Sequence, residues 1–374
     1  MLKRRTLLLA CTTLALFGGS SMSNAYATDP DAALAALKTQ VYSLGPNGEK
    51  PTAASSVTLT DDELAKIKAM HAKAALVFHY SGNDWSNAQE AALKAQFTAM
   101  GIEVIATTDA GFKPEKQVSD LETVMAQKPD IIVSIPVDAV ATAAAYKAVA
   151  EKGVKLVFMD NVPKGFVAGK DYVSSVSADN YGNGIAAGHL MAKALGGKGK
   201  IGLVFHAADF FVTKQRYDGF KKTIQENYPD IKILGEQGIG GPDFSGDAEK
   251  AAGALLTEHP DLDAIWAVWD VPAEGVMSAA RAAGRDNLIV INEDLGENVA
   301  IAMAKGEFIK GLASQRPYDQ GTTEAILAGY GLIGKPAPAY VALPAAPITK
   351  DTLLKGWEEI YHQPPTDKIT KSMN

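Results

Sequence analysis

From residue 74 to residue 161 the chain repeats one unit, a short apolar run followed by a helical segment. AALVFHY (74–80) leads into a helix running through Met100, and IEVIATT (102–108) into one that opens at Pro114. DIIVSIPV (130–137) leads into a helix near residues 139–152, and KLVFMDN (155–161) follows it. The runs are rich in β-branched residues and do not alternate strictly, as strands covered on both faces do not. Strands separated by helices pair in parallel, because each crossover brings the chain back to the same edge in the same direction. A second series begins with YVSSVSAD (172–179). It continues through IGLVFHA (201–207), IKILGEQGI (231–239), DAIWAVWD (263–270), LIVINED (288–294) and GLASQRP (311–317). Two series of similar size predict an α/β protein of two similar, doubly wound parallel-sheet lobes. A ligand would bind between them, at the carboxyl ends of the strands.

The N-terminus bears on compartment. Lys3, Arg4 and Arg5 precede an apolar run at residues 7–17, and Ala25-Tyr26-Ala27 has the small-x-small form of a signal-peptidase site. Residues 1–27 therefore read as a signal peptide cleaved after Ala27, since the run is shorter than the ~20 residues a membrane span needs. Leu8-Leu9-Ala10-Cys11 outlines a lipoprotein box but leaves few apolar residues before the cysteine. Arg4-Arg5 outlines a twin-arginine signal, with Lys3 where Ser or Thr is usual. Secretion without lipid is the expectation, with the general and twin-arginine routes both open. Cys11 is the chain's single cysteine, so the mature protein has no disulfide and no thiolate nucleophile or ligand. Its fold must rest on its core, and the remaining length exceeds that of one ordinary domain. The net charge of −7 becomes more negative once the basic leader is removed, which argues against nucleic acid as a partner. Residues 28–72 read as an N-terminal extension. It would hold a helix over 31–44, a break at Gly45-Pro46-Asn47-Gly48, and a second helix opened by the capping box Thr60…Glu63 and running to about Ala72.

The candidate site residues stand just after the apolar runs. His79 to Ser86 follow the first run and include Asn83, Trp85 and Ser86; Asp160-Asn161 follow the fourth. The second series offers Trp269-Asp270, Asp294 and Gln315 at comparable points, with Arg216 early in the helix after His206. Carboxylates, amides and a guanidinium fork suit vicinal hydroxyls, while Trp85, Phe244 and Trp269 could stack on the C–H face of a sugar ring. Plainer readings compete: Phe244 and Trp269 as core, Asp84 and Ser86 as helix caps, Asp179 as a cap or hinge residue. His79 and His206 lack the spacing of a metal motif, so no metal is expected. Gly182, Gly184 and Gly188 only loosely resemble a dinucleotide fingerprint, and close helix packing accounts for them. Gly196 to Lys200 lack the Walker spacing, and no GxSxG elbow exists. No cofactor is expected.

At these residues the chain resembles the ribose-type periplasmic sugar-binding proteins, the type I solute-binding proteins of ABC importers. The resemblance runs from about Ala74 to Ile348 and is carried in order by ALVFHYSGNDWSNAQ, KPDIIVSIPVD, VKLVFMDN, VSADNYGNGIAAG, QRYDGF, HPDLDAIWAVWD and INEDLGENVAIAMAKGEF. It implies the periplasmic-binding-protein type I fold, with lobes joined by a three-crossover hinge near Ala178, Gln315 and Leu343. Residues 73–178 with 316–343 would form the N-terminal lobe, and 179–315 with 344–374 the C-terminal one. It also implies ligand contacts at His79, Asn83, Trp85, Ser86, Asp160, Asn161, Arg216, Phe244, Trp269, Asp270, Asp294 and Gln315. The expected role is a monomeric, non-catalytic periplasmic receptor that hands a sugar or polyol to a membrane permease. A sugar sensor and an exported carbohydrate-active enzyme are the alternatives. The chain departs from the family at Asn161, where Arg is common, at Trp269, where Asn is common, and at Glu293, where an aromatic is common. A pentose other than ribose, a tetritol or pentitol, or an amino sugar suits that altered balance.

Overall fold

The computed structural model describes residues 28–373, so the expected signal peptide lies outside the described residues. Thirteen strands form two sheets. The first contains β1 (Thr52–Ala53), β2 (Lys73–Phe78), β3 (Glu103–Asp109), β4 (Ile131–Ser134), β5 (Lys155–Met159), β6 (Ser174–Ala178) and β12 (Tyr340–Leu343). The second contains β7 (Gly199–His206), β8 (Ile231–Ile239), β9 (Ala264–Ala267), β10 (Ile289–Glu293), β11 (Ile309–Ser314) and β13 (Ala346–Ile348). Their orders are β1-β12-β6-β5-β4-β2-β3 and β13-β11-β10-β9-β7-β8. Every pairing is parallel except that of β11 with β13.

Central strands such as β4 and β9 are buried along their whole length, and each sheet has helices on both faces. The chain passes from the first sheet to the second after Ala178, returns after Ser314, and crosses again after Leu343. This is the type I periplasmic-binding-protein architecture, with its three crossovers.

One expectation is corrected. The series of apolar runs puts YVSSVSAD at the head of the second lobe, but its strand β6 pairs with β5 and β12 in the first sheet, within the 73–178 bound that the resemblance implies for the first lobe. The apolar pattern of a crossing strand is the same in either sheet, and only its partners decide where it belongs.

The glycines of Asn180–Leu195 serve packing. A Cβ on Gly184 would lie 2.1 Å from the Arg216 carbonyl oxygen, and one on Gly219 would lie 2.4 Å from that of Tyr181. Helix Asn180–Leu195 can therefore lie directly on helix Phe211–Asn227, which sets Arg216 at the cleft.

The extension is not detached. Its first helix spans Pro30–Leu37, shorter than expected, and packs on helix Asn180–Leu195 of the second lobe. Its end is closed by a turn, with the Lys38 and Thr39 amides both donating to Ala36 O, and the chain then runs to Asp179. Tyr42 N donates to Asp179 Oδ2 at 2.8 Å, while Ser43 N and Oγ both donate to Oδ1 at 2.8 Å. Asp179 also caps its own helix through Gly182 N at 2.9 Å. The chain then adds β1 to the edge of the first sheet, and the capped helix Asp61–Met70 lies against helix Pro317–Ile333. The extension is thus a strap fixed to both lobes and to the residue where the chain first crosses between them.

Candidate functional site

The carboxyl ends of both sheets converge on one cavity. His79 directly follows β2, Asp160 follows β5, Asp294 follows β10 and Gln315 follows β11, while Trp269-Asp270 open the helix Asp270–Ala282 after β9. The cavity leaves room for several water-sized groups and stays partly open to solvent.

Three residues that face the cavity hold a left-handed backbone without being glycine: Phe112 (φ 58°), Asp160 (φ 51°) and Asp294 (φ 63°). Aspartate tolerates this region better than most residues, but phenylalanine does not. Strain of this kind persists where surrounding structure enforces it, and here it points side chains from strand ends into the cleft.

Arg216 is the charged centre. Its Nη1 and Nη2 form a bidentate pair with Asp294 at 2.9 and 3.2 Å. Nη1 also reaches Val268 O at 3.0 Å, and Nε reaches Asn180 Oδ1 at 3.3 Å. Four of its five N–H donors are thereby taken, leaving one for a ligand. Burial opposes the guanidinium charge, but Asp294 and Glu293 outweigh it and hold the pKa above its usual value. Asp160 accepts from Ser177 Oγ at 2.5 Å, and burial raises its pKa to about 6. Asp270 accepts from Val271 N at 2.9 Å and makes no ion pair among the described residues. Burial first, then Asp294 and Asp84, push its carboxyl well above the usual range.

The walls are aromatic. His79 stacks on Phe210 at 5.5 Å and meets Phe112 edge-on at 4.7 Å, while Trp269 and Phe244 meet at 4.9 Å. Burial lowers the pKa of His79 to about 3 and of His206 to about 4, so both rings are neutral near pH 7. His79 Nδ1, Trp85 Nε1 and Gln315 Oε1 are buried and find no hydrogen-bond partner among the described residues. Among those residues no cluster of three or more His, Cys, Asp or Glu is placed to hold a metal ion.

Of the expected contacts, His79, Asn83, Trp85, Asp160, Arg216, Trp269, Asp270, Asp294 and Gln315 line the cavity. Ser86, Asn161 and Phe244 do not. Ser86 and Asn83 form a reciprocal cap on helix Asp84–Ala99, Asn161 Nδ2 holds Pro136 O at 2.9 Å, and Phe244 backs Trp269 from its own lobe. The sequence reading did not assign Tyr80, Phe112, Ile135, His206, Phe210, Val212 and Thr213 as ligand contacts, although they line the cavity. Phe210 was within reach, four residues beyond the end of β7. Phe112 sits in a loop with no periodic signal at all. Asp84 was weighed as a cap on its own helix, yet its Oδ2 accepts from Glu297 N at 2.7 Å, at the start of the helix Glu297–Lys305 in the other lobe. The lobes are therefore shown drawn together.

A family model described as "Periplasmic binding protein domain" matches residues 74–335. A D-ribose/D-allose-binding protein of Pseudomonas aeruginosa is 30% identical over 199 residues, 50% of this chain and 61% of that protein. The ribose import binding protein of Bacillus subtilis is 27% identical over 223 residues, 58% of this chain and 67% of its own. The matched segments thus span roughly three-fifths to two-thirds of these relatives' length. An Agrobacterium vitis solute-binding protein solved with α-D-tagatopyranose superposes with a TM-score of 0.71 at 24% identity, over 78% of this chain and 99% of that one. An ABC sugar transporter subunit from Rhodobacter sphaeroides gives a TM-score of 0.65 at 27% identity, over 75% of this chain and 98% of that one.

Proposed function

The chain belongs to the periplasmic binding proteins, and on that footing we propose that it captures a small sugar or polyol and delivers it to the permease of an ABC importer. The observation that carries this reading is the cavity itself. It is walled by aromatic rings, supplied with carboxylates and a guanidinium, and built from the strand ends of both sheets. A ligand there touches both lobes at once, so binding favours the closed arrangement over the open one. On this reading residues 73–178 with 316–343 move as one body against 179–315 with 344–374. The protein works as a monomer in the periplasm, and it binds without catalysing. The names of similar proteins support a monosaccharide, since ribose, allose and tagatopyranose occur among them. The polar groups of the cavity suit a pentose, a tetritol or pentitol, or a compact amino sugar.

A thermal-shift screen over pentoses, hexoses, polyols and amino sugars tests the proposal. A ligand at one hundred times its Kd adds about 2.7 kcal/mol to apparent stability, a shift of several degrees. At least one compound should produce it and be recovered unchanged. A flat response across the panel would overturn sugar binding, and turnover of the stabilising compound would overturn the non-catalytic role. N-terminal sequencing of exported protein should begin at Thr28, and a lipid on Cys11 would contradict that.

A further inference from the structure

The charges that face the cavity do not balance. Asp160, Asp270 and Asp294 supply three carboxylates, and Arg216 is the one cation among the described lining residues. The bidentate contact to Asp294 already occupies that guanidinium. The two lining histidines add no charge, being neutral near pH 7 through burial. Asp270 is left with a backbone amide as its only partner and is 6% exposed. The groups that face it make ionisation harder still: Asp294 from the end of β10, Asp84 from the opposite lobe, and Glu274 from its own helix. A buried carboxylate with no cation is costly, and a ligand that brought the cation would relieve that cost.

The remainder of the site suits such a ligand. Tyr80, Trp85, Phe112, Phe210 and Trp269 surround the cavity with ring faces and edges. An ammonium group is attracted to aromatic faces as well as to a carboxylate. Gln315 is 4% exposed and lines the cavity with an Oε1 that has no partner among the described residues, an acceptor suited to an N–H or O–H donor.

We propose that the cleft takes a polyhydroxylated ligand bearing a protonated amine, with the ammonium held by the Asp270 carboxylate and the hydroxyls by Asp160, Arg216 and Gln315. The inference rests on the sugar-binding reading and narrows its substrate class to amino sugars and amino polyols.

Calorimetric titration near pH 7 tests it with matched sets: glucosamine, glucose and N-acetylglucosamine; galactosamine and galactose; serinol and glycerol. In at least one set the amine should bind roughly tenfold to a hundredfold more tightly than its hydroxyl or N-acetyl counterpart, the gain expected of a charge-assisted bond in a dry site. Asp270→Asn keeps the shape and removes the charge, so it should bring the ratio between amine and counterpart down towards one. Asp270→Glu should retain part of it. Melting curves confirm that each variant is folded, and the wild-type ratios stand without any variant. Neutral members binding as well as their amines would overturn this inference while leaving the sugar reading intact. The same holds if the amine preference survives Asp270→Asn. Failure of every amine to bind while a neutral sugar or polyol of the thermal-shift panel still binds would overturn this inference alone, and failure of every compound in both panels would overturn both.

Discussion

Replacing Arg216 with Met should destabilise the ligand-free protein far more than a typical cleft substitution. Methionine has comparable length and volume, so the cavity changes little in shape. What disappears is the bidentate pair with Asp294 at 2.9 and 3.2 Å, the bond to Val268 O, and the bond to Asn180. Asp294 is then left buried and unpaired, close to Asp160, Glu293 and Asp270, with no cation to offset them. Removing one partner of a buried pair costs about 3–5 kcal/mol, against a total stability of roughly 5–15 kcal/mol. The double variant Arg216→Met with Asp294→Asn should recover a large part of the loss, because it removes the stranded charge. Urea unfolding of the wild type, both single variants and the double variant measures the coupling directly. A loss below about 1 kcal/mol for Arg216→Met would refute the view that the guanidinium is a structural keystone of the cleft, as would a double variant no more stable than the single.

Three further outcomes are expected. Asp160 titrates near 6 when folded against 3.8 unfolded, so the folded protein retains a proton that the unfolded chain has released. Stability should therefore fall as pH rises from about 4 through 6, by on the order of 3 kcal/mol from this group; Asp160→Asn should flatten that part of the profile, and an unchanged profile would exclude Asp160 as its source. Asp84→Ala removes the acceptor for Glu297 N, a bond made only when the lobes are together. Small-angle scattering should show a larger radius of gyration without ligand, and affinity for the stabilising sugar should drop about tenfold although Asp84 does not line the cavity. Gly184→Ala would force a methyl group to within 2.1 Å of the Arg216 carbonyl oxygen and should cost about 1–3 kcal/mol in a melting experiment; a wild-type melting temperature would show that the two helices separate easily.

The strand-end logic transferred well because it depends only on chain order. A residue that follows a buried parallel strand must emerge at the carboxyl edge, and His79, Asp160, Asp270, Asp294 and Gln315 all do so. Asn161 follows its strand almost as closely, and Ser86 stands in the first turn of the helix after β2, yet one secures a neighbouring loop and the other closes a helix cap. Chain order does not say which way a side chain turns after it leaves the sheet. Phe112 escaped notice for the opposite reason: its direction comes from a left-handed backbone in a loop, for which an aromatic residue gives no warning. The bond from Asp84 to Glu297 joins residues 213 apart and exists only through the relative placement of two lobes, which no local pattern encodes. The same limit put β6 in the wrong series, since its neighbours β5 and β12 decide its sheet and β12 lies more than 160 positions further along.

The strap formed by residues 28–72 has a consequence for the order in which the molecule can assemble. Thr52 and Ala53 pair with Val341 and Ala342, Tyr330 Oη donates to Thr58 O at 2.7 Å, and the helix Asp61–Met70 rests on Pro317–Ile333. The part of the segment from Thr52 to Met70 therefore has no docking surface until almost the last of the chain has taken its place, whereas the helix Pro30–Leu37 and residues Tyr42 and Ser43 rest on the helix Asn180–Leu195 and on Asp179. Joining the two ends closes a loop of nearly 290 residues, and such non-local closure is slow because its entropy must be spent before any contact repays it. β1 and the helix Asp61–Met70 should therefore be among the last elements to dock, which pulsed hydrogen exchange during refolding would test. Their docking joins β1 to β12, so the edge of the first sheet is completed by the two ends of the chain together.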